Sequence, residues 1–283
     1  MQATQDLRPF QNGMRSPIVA PVTRGLIAIP LFFLATHTDK YFAWTIQPPL
    51  TAAVLGANYL SSTLLALLAS RKTLWATGRV SISVALAFAP ITTAATFIHL
   101  NKFHLHTFYG WFWVIAYGIY PTLLVYLLWK QLKMPGGDPP RGKPFPIWVK
   151  LIFGAHAVLL IPLALLMFIH PASMLTVWPW KLTPLTSRAL SAWVMAFGVL
   201  GAHLFYENDH TRGRVALLTY PAFGLLQVIA LVRYGSAMRW GSTSALALLV
   251  FIASIFILGL FGFIAGRDAP TEADLVNVSA GEG

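Results

Sequence analysis

The sequence predicts an all-α, polytopic integral membrane protein: eight transmembrane helices in a tandem 4+4 parallel repeat, with a pseudo-two-fold axis along the membrane normal. Three observations predict it. Hydrophobic residues make up 57% of the 283 and charged residues only 10%, where a soluble domain carries about a quarter charged. The apolar residues run in unbroken stretches near the length of about 20 that a bilayer-crossing helix needs. Two tripeptides also recur at one spacing. Pro184-Leu185-Thr186 repeats Pro49-Leu50-Thr51, and Gly213-Arg214-Val215 repeats Gly78-Arg79-Val80, each 135 residues on (184 − 49 and 213 − 78).

Taken along the chain, the polar start MQATQDLRPFQNGMRSP lacks a short apolar core with a small-residue cleavage site, so no removable signal peptide is expected. Spans follow at 18–36, 49–69, 80–99, 107–129, 147–169, 186–206, 214–233 and 243–266. Every Asp and Glu falls outside these spans or at their ends, so no carboxylate is expected at membrane depth. Fourteen Lys and Arg lie on the side of the termini and of loops 70–79, 130–146 and 207–213, against six on the other. The positive-inside rule puts the richer side, with both termini, in the cytoplasm of a bacterial-type plasma membrane. Leu132 to Pro146 is rich in Pro and Gly and suits a semi-stiff linker. The organisation is therefore a first four-helix unit (1–131), a cytoplasmic linker (132–146), a second unit (147–267) and a polar tail (268–283).

Aligning 49–98 with 184–233 without a gap gives twelve identities in fifty positions. Pro30 followed by His37 in the first span is matched by Pro162 and His170 in the fifth, and Pro90 and Pro221 kink the third and seventh. An even number of spans per unit makes both halves insert in the same direction. Locally, Pro suits a first helical turn and Thr a cap, while Gly78-Arg79 and Gly213-Arg214 read as a breaker followed by a head-group anchor.

The chemistry is sparse. The chain has no cysteine, which excludes disulfides, thiolate metal sites and iron–sulfur clusters. No Gly-rich phosphate loop, His-Glu-x-x-His motif or nucleophile triad is present, and no residue stands out as catalytic. The net charge of +11 belongs to topology and anionic head groups; nucleic acid is not expected as a partner. Five of the eight histidines map to the outer face. Of these His37, His99, His104 and His106 are candidate cofactor ligands for haem or a divalent metal, since neutral imidazole is a common ligand. Arg188 and Arg233, at span ends, are candidates for a lipid or anion contact or for interfacial snorkelling. A haem A synthase would pair axial histidines on the even-numbered helices of each half; spans two and eight carry none.

The leading expectation is a non-catalytic subunit or scaffold that packs with membrane lipids, lipid-soluble cofactors or partner membrane proteins. A carrier for a neutral, hydrophobic or anionic solute is the alternative, and a haem- or metal-dependent redox protein using the outer histidines the second. The topology has a clean test in a cysteine-free chain. A single Cys at Ser173 should react with an impermeant thiol reagent in intact cells and one at Gly137 should not; the opposite pattern inverts the orientation.

Overall fold

The computed structural model describes residues 7–15, 19–266 and 270–280. The expected start of the first span at 18 and the boundary between second unit and tail at 267 lie outside them. The described helices are α1 (Asn12–Arg15), α2 (Val19–Phe33), α3 (Thr38–Tyr41), α4 (Pro49–Ser70), α5 (Trp75–Ile98), α6 (Phe108–Leu132), α7 (Ile147–Ile169), α8 (Pro171–Val177), α9 (Pro184–Glu207), α10 (His210–Tyr234), α11 (Thr243–Ala265) and α12 (Glu272–Ala280). Seven of them are long and apolar enough to cross a membrane: α4, α5, α6, α7, α9, α10 and α11. The expected first span is shorter. Helix α2 ends at Phe33 and passes into a 3-10 turn at Ala35–His37.

The long helices pack in a fixed scheme. Helix α2 lies along α4, and α7 along α9; α4 then crosses to α10, and α5 to α9. Helix α6 rests on α5, and α11 on α10, the second pair more closely. Helices α5 and α10 begin at Trp75 and His210, earlier than the expected 80 and 214, because their first turns are polar and escape a hydropathy reading. Asp209 supplies the N-cap of α10, accepting from Arg212 N at 2.8 Å. The N-cap of α5, Leu74, has no such side chain, and Glu272 from α12 reaches across to accept from Thr73 N at 2.7 Å.

The recurring tripeptides have different work from that expected. Gly78 and Gly213 are not breakers, since α5 and α10 run through them. Each leaves room for an aromatic ring. A Cβ on Gly78 would stand 2.3 Å from the Phe10 ring, and one on Gly213 2.8 Å from the Phe145 ring. Trp75 N donates to Arg8 O, and His210 N to Lys143 O, both at 3.0 Å. Phe10, Trp75 and Gly78 thus stand 135 residues from Phe145, His210 and Gly213 in the same mutual contacts. Nor is Thr51 a cap: its hydroxyl accepts from Trp180 Nε1 at 2.8 Å, whereas Thr186 forms a reciprocal capping box with Thr183.

At the same end of the bundle lies a carboxylate the hydropathy pattern did not show as buried. Glu207, the last residue of α9, is 2% exposed. It stands 2.5 Å from Arg79 Nη2 and 2.8 Å from Arg212 Nη1, with His203 3.7 Å away. Arg79 also pairs with Asp138, and Arg212 Nη2 donates to Pro139 O at 2.6 Å. The 132–146 segment is therefore tied down along its length: Arg8 N donates to Gly137 O, Gly142 N to Asp209, and Phe145 N to Asn208 Oδ1.

Removing either seated ring leaves a cavity against a glycine that cannot fill it. Phe10→Ala and Phe145→Ala should each cost about 3–5 kcal/mol, read as a clear drop in melting temperature of the detergent-solubilised protein. Leu26→Ala, on an exposed face, should leave it nearly unchanged.

Candidate functional site

A cavity of about 580 Å³ is bounded by α2, α4, α5 and α6, with Gly13 and Met14 of α1 at one end. It exists because α2 leans on α4 and α6 leans on α5, leaving the facing sides of α2 and α6 apart. Trp111, Ile115 and Ile119 of α6 line it while keeping more than half of their own surface exposed. The cavity thus opens sideways, toward the surface a bilayer would cover.

Its deep wall is aromatic. Tyr59 of α4 and Tyr117 of α6 share a hydrogen bond of 2.6 Å between hydroxyls. Trp193 of α9 lies tilted against Phe88 at 4.3 Å and meets Tyr59 edge-on at 4.9 Å. Trp113 lies 4.5 Å from Tyr117 and donates its Nε1–H to Thr96 Oγ1 at 2.9 Å. Rings with two χ angles and satisfied polar tips make a rigid wall.

Arg24 of α2 enters this space. Its Nη1 donates to Ser62 O at 3.1 Å and its Nη2 to Tyr120 Oη at 3.2 Å. Ser62 lies eight residues from the end of α4 at Ser70, roughly 12 Å of helix rise. The guanidinium therefore sits within the apolar span. Among the described residues no Asp or Glu pairs with it or lines the cavity. An arginine at that depth without a counter-ion is costly and marks a functional position by default.

The other half has a corresponding contact in closed form. His156 precedes Pro162 by six residues, as Arg24 precedes Pro30, and its Nε2 bonds to Ser254 Oγ of α11 at 2.9 Å. His156 is 8% exposed, packed against Phe251 and against Gly201, where α7 and α9 come close. Sequence reasoning counted Arg24 among the edge charges and missed it. The readable signal was this shared spacing of a polar residue to a span proline.

The sequence-derived candidates lie elsewhere, at the end of the bundle away from the linker. His99 Nε2 accepts from Arg188 Nη1 at 2.7 Å. His104 Nδ1 faces Phe42 O at 3.3 Å, and its Nε2 bonds to Thr45 Oγ1 at 3.2 Å, which joins the α5–α6 and α3–α4 loops. The exposed His106 ring is 5.9 Å from that of His104, and the exposed His37 bonds only locally, to Thr36. The described residues hold no group of three or more His, Asp or Glu able to bind a metal. Arg188 and Arg233 each donate to a helix end. Arg188 Nε donates to Phe168 O at 3.0 Å, at the C-terminus of α7, and Arg233 Nη1 to Phe32 O at 2.7 Å, at that of α2. Cations there satisfy orphan carbonyls and complement the helix dipole.

No protein-family model, curated protein or solved structure matches this chain. The site must be read from its own geometry, and the cavity is where the described residues combine concavity, an apolar lining and convergent polar groups.

The His99–Arg188 pair makes the stability of this end of the bundle depend on pH. Burial, then Arg188 and Lys102, hold the His99 pKa below its usual value. The unfolded chain then binds the proton more readily, so the contribution of His99 is full above its ordinary pKa of about 6.5 and is lost as pH falls below it. The melting temperature should fall from pH 7.5 to 5.5, and fall less in His99→Gln.

Proposed function

We propose that this chain is a non-catalytic integral membrane protein that holds a lipid-soluble molecule in the lateral cavity between α2 and α6. The observation that carries the reading is Arg24 standing without a described carboxylate partner in a space walled mostly by apolar and aromatic side chains. Its volume of about 580 Å³ falls within the roughly 300–1,000 Å³ of small-molecule sites. Rigid helices, not loops, carry the lining, so the site is set before the ligand arrives.

The architecture that frames the cavity is, in this proposal, a duplicated four-helix unit. Helix starts at 49, 75 and 108 in one half and 184, 210 and 243 in the other, together with the paired Phe–Gly seats, support it. The packing scheme also reads the same when the halves are exchanged: α4 with α10 corresponds to α9 with α5. Two units inserted in the same direction are related by an axis along the membrane normal. The basic end, with linker and termini, is assigned to the cytoplasm on the positive-inside rule. Membrane lipids, and other membrane proteins at the exposed faces of α6 and α7, are the expected neighbours.

Filling the cavity tests the reading. Ala116 lines it from α6, and Ala116→Trp places an indole in the space. Native mass spectrometry of gently solubilised protein should show lipid-soluble adducts on the wild type and at least about ten-fold lower occupancy in Ala116→Trp at an unchanged melting temperature. Equal occupancy in both, or a wild type that neither retains nor takes up any lipid-soluble molecule, refutes it.

A further inference from the structure

The cavity also specifies the chemistry of its occupant. Resting on the reading above, we infer that the ligand is a single-chain amphiphile with a monoanionic carboxylate head, a long-chain fatty acid in chemical class, whose head binds Arg24 and whose chain lies along the aromatic wall.

The argument is one of charge and shape. Among the described residues Arg24 is the one formally charged group lining the cavity. Isolated charge in an apolar medium costs far more than a hydrogen-bonded pair, so a ligand that brings one negative charge is favoured over a neutral one. A single guanidinium balances one charge, which fits a carboxylate and leaves a dianionic phosphate half-neutralised. The fork of donors on arginine matches the two oxygens of a carboxylate. Tyr120 and the Ser62 carbonyl hold the guanidinium at 3.2 and 3.1 Å, so the donor is oriented before the ligand arrives. Beyond it, Ile115, Ile119 and Leu123 offer an apolar track that is open to the lipid side. A molecule dissolved in the membrane reaches the site along that track without crossing the bundle.

Trp111 and Trp193 line the cavity and serve as energy-transfer donors to a conjugated polyene chain. The probes are cis-parinaric acid and its methyl ester, titrated into purified protein, with displacement by hexadecanoic acid, hexadecanol and hexadecyl phosphate. The acid probe is expected to bind saturably and to be displaced by hexadecanoic acid at least about ten-fold more effectively than by hexadecanol. Loss of a charge-assisted contact corresponds to roughly ten- to hundred-fold in affinity. Arg24→Gln should weaken the acid probe by that factor and leave the ester unchanged, while Arg24→Lys should retain the preference for acid. Equal affinity of acid and ester in the wild type overturns the carboxylate assignment and leaves the lipid-binding reading intact; that comparison needs no variant to fold. Stronger displacement by hexadecyl phosphate than by hexadecanoic acid also overturns it. Absence of saturable binding for both probes ends the cavity reading itself.

Discussion

The buried carboxylate of Glu207, held between Arg79 and Arg212, is the constraint from which the rest of the arrangement follows. It sits where α5, α9 and α10 meet, and Asp138 and the Pro139 carbonyl bring the 132–146 segment to the same point. A buried ion pair is weak support for stability in itself, yet breaking one partner is strongly destabilising, by about 3–5 kcal/mol. Its value here is positional. An apolar contact tolerates sliding along a helix, whereas two guanidinium groups on one carboxylate admit a single register of α5 against α9. That register sets where Phe88 and Trp193 meet, and so where the deep wall of the cavity stands.

The peptide before each half reinforces the same end of the bundle. Phe10 and Phe145 insert into glycine notches on α5 and α10, and a carbonyl of each peptide accepts from the backbone N–H of the first residue of its helix. One difference between the two ends concerns capping. Asp209 caps α10 from within, and Glu272 of α12 reaches the start of α5 from the far end of the sequence. Comparable helix starts are thus completed by different residues.

The helices before residues 132–146 and those after them differ at one contact. In the second set, His156 of α7 closes on Ser254 of α11. In the other, α6 stands off from α2, and an arginine takes the place of that histidine. A neutral imidazole can be buried with one hydroxyl partner. A guanidinium cannot, and the space around it has stayed open.

Membrane class, the approximate spans and the 135-residue offset were all legible in the linear sequence, because bilayer thickness and backbone hydrogen bonding impose long apolar runs. The candidate site was not. Arg24 was hidden by standing near a span end, where arginine usually marks topology. Glu207 was hidden because α9 carries it one residue beyond the apolar run. The histidines and arginines at the end away from the linker were visible as types, but an imidazole serves equally as ligand or as hydrogen-bond acceptor. Arg188 donates to His99, and both arginines donate to carbonyls at two helix ends. Composition and periodicity alone determined that the chain is a bundle of apolar helices and roughly where the long ones run. The tertiary structure decided which polar groups neutralise one another and which cation lines the cavity without a described acid beside it, because pairing depends on distances between segments that local pattern does not encode.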